Sequence, residues 1–222
     1  CLVGSEMCIR DSGKTTTTSM LTEILLKAQA DPTISVGGML DSIQGNIRIG
    51  SSDLFVTEAC EYTNSFLSFF PTMEIILNIE ADHLDFFKDL DDIRNSFHLF
   101  AERMPEGGTL IINSDIEHYQ EITRGINGKI ITFGKSEDSM YRAENITYDE
   151  FARPSYDLIK EGTMLGRIQL GVTGEHNVYN SLSAIAAAAE LGISIEDIQE
   201  GLSGFSGPHR RFEKKGEIGG IT

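Results

Sequence analysis

The segment SGKTTTT at residues 12–18 has the residues that end a phosphate-binding loop, in the required order. A glycine lets the backbone approach a phosphate closely, a lysine reaches the β- and γ-phosphates, and a threonine hydroxyl binds Mg²⁺. Gly13, Lys14 and Thr15 supply these three groups. Thr16 continues the run into a predicted helix, whose N-terminus would favour anions. A lysine and capping threonines at an ordinary helix start explain the same triplet equally well.

A carboxylate, Glu58, ends the predicted strand LFVTE at residues 54–58, and Glu61 follows it closely. An acidic side chain at the carboxyl end of a parallel strand is where a Mg²⁺–nucleotide site is usually completed. Glu58 is therefore a candidate Mg²⁺ ligand and catalytic residue. The alternative is an exposed acid in a loop, which is common in so acidic a chain.

Four potential ligands lie within NIEADH at residues 78–83, directly after another predicted strand. A neutral imidazole can bind a divalent ion, and carboxylates suit Mg²⁺. A lone histidine is more often structural, but four polar groups after a buried strand favour function. His83 is therefore a second candidate metal ligand and catalytic residue.

Polar side chains share one face at the start of a predicted helix, in GEHNVYN at residues 174–180. His176 and Asn180 are spaced i,i+4, and Asn177 lies three residues before Asn180. Asparagine amides present paired donors and acceptors that suit an adenine edge, and an imidazole can stack on a ring. The alternative is that Asn177 only caps the helix.

Adjacent arginines, Arg210 and Arg211, follow a turn rich in glycine and serine. Two guanidinium groups in this position could clamp a phosphate bidentately. They could equally be solvated charges on the surface of an acidic protein.

Strands alternate with helices along most of the chain, which predicts an α/β fold. The predicted helices cover residues 14–29, 89–104, 115–124, 175–191 and 194–202, and the predicted strands cover 54–58, 74–79, 109–112 and 129–133. Asp89 and Ser194 are predicted helix caps. Residues 141–171 carry short alternating segments that predict antiparallel strands. We therefore expect a mostly parallel P-loop-type sheet flanked by helices, with a small antiparallel β subdomain inserted late.

Charge and composition argue against several classes of function. The 222 residues carry 18 Lys and Arg against 34 Asp and Glu, a formal net charge of −16. Such a surface repels nucleic-acid backbones, so we expect no nucleic-acid partner. No apolar run approaches the length needed to cross a bilayer, so no membrane insertion is expected. The three cysteines, Cys1, Cys8 and Cys60, lack a disulfide-framework spacing, which favours reduced thiols and a cytoplasmic location.

The order of these motifs resembles the Mur ligase family. The segments GKTTTT, EACEYTNSFL, NIEADHLDFF, GEHNVYN and GPHRRFE resemble that family at every step between Gly13 and Thr222. NIEADH and EHNVYN are most similar to the member that adds L-alanine. The resemblance identifies residues 13–216 as a central ATPase domain and 217–222 as the start of a boundary to a C-terminal domain.

Residues 1–12 are expected to be a non-native leader. The family pattern is G-[TS]-H-G-K-T, and Arg10, Asp11 and Ser12 occupy its first three places. Glu6, Arg10 and Asp11 also interrupt the apolar strand that should precede a phosphate loop.

The resemblance implies a reaction and a role for each candidate residue. ATP would phosphorylate the lactyl carboxylate of UDP-N-acetylmuramate, and the amine of L-alanine would then displace phosphate. Both substrates would bind through domains outside this chain, so the chain alone is expected to show no ligase turnover. The implied roles are phosphate binding by Lys14, one Mg²⁺ at Thr15 and Glu58, a second Mg²⁺ at His83, the adenine end at His176, Asn177 and Asn180, and a phosphate contact from Arg210 or Arg211. Open alternatives are another Mur-type or folylpolyglutamate-type ligase, a P-loop switch or motor, and an inactive fragment.

Overall fold

The structure, a computed structural model, describes residues 13–81 and 85–207. In this part of the chain the helices are α1 (Lys14–Lys27), α2 (Leu90–Ala101), α3 (Tyr119–Thr123), α4 (His176–Glu190) and α5 (Ile195–Gly204). The strands are β1 (Thr33–Leu40), β2 (Gly45–Arg48), β3 (Phe55–Thr57), β4 (Met73–Ile76), β5 (Thr109–Asn113), β6 (Lys129–Phe133), β7 (Tyr141–Tyr148), β8 (Pro154–Lys160) and β9 (Thr163–Gln169). Two short 3₁₀ helices cover Asp41–Ile43 and Tyr62–Ser68. None of these helices has the length and apolar character needed to span a membrane. The predicted α/β class is confirmed.

The larger sheet has six strands in the order β4-β5-β6-β7-β8-β9. Pairing is parallel from β4 to β7 and antiparallel from β7 to β9. The predicted mostly parallel sheet and the predicted antiparallel strands are therefore confirmed. The antiparallel strands extend the parallel sheet instead of forming a sheet of their own, because β7 pairs with β6 through two buried aromatic residues, Phe133 and Tyr141.

The smaller sheet has the order β2-β1-β3, with β1 parallel to β3 and antiparallel to β2. Only β3 of this sheet is predicted from the sequence. Ile34 and Val36 alternate as buried residues on β1, which is a strand pattern. Gly37 and Gly38 follow directly, and glycine lowers strand propensity, so the pattern is short and easily missed.

Both predicted helix caps are present in the structure. A carboxylate oxygen of Asp89 accepts a hydrogen bond from the Asp92 N–H at 3.0 Å, at the start of α2. The hydroxyl of Ser194 accepts from the Asp197 N–H at 3.1 Å, at the start of α5. Each bond satisfies one of the N–H groups that a helix start leaves without an intrahelical partner.

The helix α3 is shorter than the predicted range of 115–124. The side chain of Asn113 accepts a hydrogen bond from the Asp115 N–H at 2.9 Å, which holds the backbone in a turn. His118 then has a φ of 60°, in the left-handed region, so the helix begins only after it. Side-chain hydrogen bonding to the local backbone replaced the first helical turn.

The helix α1 packs against both α4 and α5, and this contact sets the position of its first turn. Met20 and Ile24 of α1 are fully buried, as is Leu182 of α4. Gly201 of α5 lies so close to α1 that an added Cβ would be 2.7 Å from the Ile24 Cα. A side chain at this position would push the two helices apart, so glycine is required for the close packing.

Glu74 on β4 is a carboxyl group enclosed by the fold. It is only 4% exposed, and both of its oxygens are without a hydrogen-bond partner in the described part of the chain. Burial raises the pKa of the Glu74 carboxyl from 4.5 to about 9. The group is therefore protonated in the folded protein at neutral pH but ionised in the unfolded chain. Its contribution to stability is complete below the unfolded pKa and is lost as the pH rises through the folded pKa.

Glu74→Gln should raise the free energy of unfolding at neutral pH by about 1–3 kcal/mol, because the amide has no proton to release on unfolding. The substitution should also flatten the dependence of stability on pH between 4.5 and about 9. Urea unfolding across this range measures both effects. Glu150→Gln, at an exposed position, is the matched control and should change neither quantity. An unaltered pH dependence in Glu74→Gln would contradict the protonated state.

Candidate nucleotide-binding site

The candidate site is built on the first turn of α1. Gly13 precedes the helix with a φ of 76°, in the left-handed region, and its carbonyl accepts from the Thr17 N–H at 2.8 Å. Because glycine has no side chain, it offers no capping acceptor to the first-turn N–H groups, which carry the positive end of the helix dipole. Thr15 and Thr16 are buried, so this turn is anchored in the protein.

Glu58 lies beside Thr15 in the structure. It directly follows β3, which runs parallel to β1. One carboxylate oxygen of Glu58 accepts from the Thr15 hydroxyl at 2.9 Å, and the other accepts from the Gly37 N–H at 2.8 Å. The structure therefore brings together the first two motifs predicted to form the site.

The Thr15 hydroxyl and the Glu58 carboxylate are chemically suited to Mg²⁺. Both present oxygen, the ligand atom that this hard cation prefers. Mg²⁺ usually binds through one or two carboxylates and completes its coordination with water and substrate phosphates, and this pair can supply the protein's share. Within residues 13–81 and 85–207, no group of three or more His, Cys, Asp and Glu side chains is arranged to hold a metal ion.

Lys14 is held by Glu61, a residue noted in the sequence but given no role there. The Lys14 Nζ donates to both carboxylate oxygens of Glu61, each at 2.9 Å. The two side chains are 24% and 18% exposed, so the ion pair is partly shielded from water. The spacing of Glu58 and Glu61 across EACE is the sequence signal that could have identified the pair, since both carboxylates contact consecutive residues of α1.

Asn180 of α4 lies directly against Gly13. A Cβ added to Gly13 would be 2.3 Å from the Asn180 Oδ1, so only glycine fits beside this amide. The Asn180 Nδ2 donates to the Asn177 Oδ1 at 3.0 Å, and the Asn177 Nδ2 donates to the Thr173 carbonyl at 2.7 Å. These hydrogen bonds hold the Asn180 amide in place at the start of α4, where it packs against Gly13. Asn180 thus lies beside the first turn of α1. An adenine contact from either asparagine stays a prediction.

The other predicted site residues are only partly covered by the structure. His176 is the first residue of α4, and a Cβ added to Gly174 would be 2.6 Å from its ring. Its role beside adenine stays a prediction. His83, Arg210 and Arg211 lie outside the described residues, so their predicted contacts with Mg²⁺ and phosphate also stay predictions.

A cluster around Lys135 lies at the start of α4 and is not indicated by the sequence. The Lys135 Nζ is 4.8 Å from the centroid of the Tyr179 ring and 3.6 Å from a carboxylate oxygen of Glu175. Its backbone N–H donates to both carboxylate oxygens of Asp115, at 3.1 and 3.0 Å. The residues come from three separate segments, so no local spacing connects them. They place a cation and an aromatic ring next to the predicted adenine-binding residues.

A family profile and individual relatives both indicate the same protein family for this chain. The profile of the Mur ligase middle domain matches residues 12–188. The chain is 59% identical to the UDP-N-acetylmuramate–L-alanine ligase of Lachnospira eligens over 211 residues, which cover 95% of this chain and 46% of that protein. It therefore spans about half the length of the curated relatives it matches.

Comparison with solved structures gives the same fold. The UDP-N-acetylmuramate-alanine ligase MurC of Thermotoga maritima superimposes with a TM-score of 0.79 at 29% identity, over 93% of this chain and 46% of that one. The UDP-N-acetylmuramate:L-alanyl-gamma-D-glutamyl-meso-diaminopimelate ligase of Neisseria meningitides has a TM-score of 0.77 at 29% identity, over 86% and 63%. The fold of this chain is thus shared with part of each of these solved structures.

Gly13→Ala should destabilise the protein more than Gly125→Ala. The two glycines have φ values of 76° and 79°, so each alanine strains the backbone by about 1–2 kcal/mol. An added Cβ meets nothing within 4 Å at Gly125, whereas at Gly13 it would contact Asn180. We expect this contact to cost Gly13→Ala a further 1–3 kcal/mol or so, measured by urea unfolding.

Asn180→Ala should recover part of the loss when it is combined with Gly13→Ala, because it removes the amide that the new Cβ meets. Equal losses at Gly13 and Gly125 would show that Asn180 does not restrict Gly13.

Proposed function

Because this chain belongs to the Mur ligase family, whose middle domain it spans, we propose that it is the ATP-binding domain of an amide-bond ligase that joins L-alanine to UDP-N-acetylmuramate. Its similarity to UDP-N-acetylmuramate–L-alanine ligases supports the choice of substrates. One observation carries the assignment of ATP: a glycine-preceded helix start presents Lys14 and Thr15, and the hydroxyl of Thr15 lies 2.9 Å from the Glu58 carboxylate.

Each residue of this helix start has a distinct role. Lys14 binds the β- and γ-phosphates, and the first-turn N–H groups of α1 add to the positive field. Thr15 and Glu58 hold one Mg²⁺ through their adjacent oxygens. ATP supplies the γ-phosphoryl group that activates the lactyl carboxylate for attack by the amine of L-alanine. The protein's contribution to such a transfer is mainly positioning and charge neutralisation.

The remaining roles complete the proposal. His83 helps to bind a second Mg²⁺, and either Arg210 or Arg211 contacts the phosphates. His176, Asn177 and Asn180 hold the adenine end, and Asn180 also packs against Gly13. The ATPase domain covers residues 13–216. A cytoplasmic location agrees with the three cysteines, whose spacing is not that of a disulfide framework.

Lys14→Met should weaken ATP binding by at least about tenfold, because it removes the cation that contacts the phosphates, a loss of about 1.4 kcal/mol or more. Calorimetry with Mg²⁺ and ATP measures the change. The titration uses this chain and a version with Gly-Thr-His at positions 10–12, the residues of the family pattern. We expect the loop with Gly-Thr-His to bind ATP more tightly, because a glycine at position 10 lets the loop backbone approach the phosphates closely and the Asp11 carboxylate is removed.

Lys27→Met is the matched control, since Lys27 lies in the last turn of the same helix and pairs with Glu200. It removes an equal charge far from the phosphate site, so ATP binding should be unchanged. No binding by either loop version would refute the nucleotide assignment. Equal weakening in both lysine variants would indicate a general effect of charge.

A further inference from the structure

The carboxylate of Glu61 contacts Lys14, the side chain to which the proposed function assigns phosphate binding. Both of its oxygens contact the Lys14 ammonium at 2.9 Å. A lysine ammonium has three protons, and two are directed at this carboxylate. To bind a phosphate in the proposed manner, Lys14 must give up part or all of this contact.

We infer that Glu61 is a positioning residue that holds Lys14 before nucleotide binds and competes with phosphate for it. The inference rests on the proposed ATP binding. It assigns to Glu61 a role different from that of Glu58, although both follow the same strand.

The contacts of the two carboxylates separate their roles. Glu58 accepts from neutral donors, the Thr15 hydroxyl and the Gly37 N–H. These contacts leave it beside the hydroxyl that suits a Mg²⁺ ion. Glu61 instead contacts the ammonium of Lys14 directly, so its charge acts on the group that binds phosphate.

The burial of the ion pair makes the competition significant. Fully exposed lysine–carboxylate pairs contribute little, because water and salt screen them. The Lys14 and Glu61 side chains are 24% and 18% exposed, so screening is weaker and the hydrogen bonds are charge-assisted. The contact fixes the position of Lys14 before nucleotide binds. When phosphate binds, Lys14 must break its contact with Glu61 to form one with phosphate.

The same geometry predicts an effect of Mg²⁺. Once Lys14 moves to a phosphate, Glu61 remains close to that phosphate, and the two negative charges repel each other. Mg²⁺ neutralises part of the triphosphate charge and so reduces the repulsion. Glu61 should therefore disfavour metal-free nucleotide more strongly than the Mg²⁺ complex.

Glu61→Gln in the chain with Gly-Thr-His at positions 10–12 tests the inference. Without Mg²⁺, the substitution should tighten ATP binding by about tenfold, equivalent to about 1.4 kcal/mol, because it removes both the competing anion and the repulsion. With saturating Mg²⁺ the gain should be smaller. Pyrophosphate, which lacks the base and ribose, should show the same pattern. Calorimetry in EDTA and in Mg²⁺ on the chain with and without Glu61→Gln gives four affinities for each ligand.

Two further variants make the result specific. Glu190→Gln also removes a lysine ion pair, with Lys129 at 2.6 Å, but at the opposite end of α4, and it should leave all affinities unchanged. Glu61→Asp keeps the charge and shortens the side chain, so it should tighten binding less than Glu61→Gln.

The outcomes separate the inference from the proposed function. If neither the unsubstituted chain nor Glu61→Gln binds ATP or pyrophosphate, the nucleotide assignment fails and the inference with it. If the unsubstituted chain binds and Glu61→Gln binds equally or more weakly, the nucleotide assignment stands and the inference is overturned. A gain in Glu190→Gln as large as that in Glu61→Gln also overturns it.

Discussion

The site depends on the contact between the first turn of α1 and the start of α4. Gly13 adopts a left-handed conformation against the Asn180 amide, and no larger residue fits there without displacing it. From this turn Lys14 and Thr15 meet two carboxylates of one loop, at 2.9 Å in each case. If α1 moved along its axis, the glycine contact and both carboxylate contacts would be lost together.

Helix packing keeps that turn in place. The close approach of α5 to α1 at Gly201 prevents the helix from sliding, and the apolar faces of α1 and α4 share one core. The strand order brings the carboxylates to the same place, since β3 ends beside the start of α1. Positioning by a rigid scaffold is what a phosphoryl-transfer site requires, because such catalysis depends on fixed charges more than on reactive side chains.

Two glutamates with energetically costly surroundings, Glu74 and Glu61, affect different properties of the protein. Glu74 is a carboxyl group without a hydrogen-bond partner in the described chain, and burial keeps it neutral. Glu61, in contrast, is charged and paired, within reach of the lysine on which the proposed chemistry depends. Burial of an unpaired acid lowers stability at neutral pH, whereas a pair that must exchange its partner adjusts ligand affinity.

The sequence by itself determined the motifs, the α/β class and most elements, because helix periodicity, caps such as Asp89 and buried strands are local patterns. Local patterns failed where glycines interrupted β1 and where the Asn113 side chain replaced a helical turn with an Asx turn. The candidate residues Thr15, Glu58 and Asn180 were also found locally, but their mutual contacts were not. Only the tertiary structure decided that Asn180 lies against Gly13 and that Glu61 holds Lys14. These contacts join residues far apart in the chain, and they form through the packing of the elements, which no local spacing encodes.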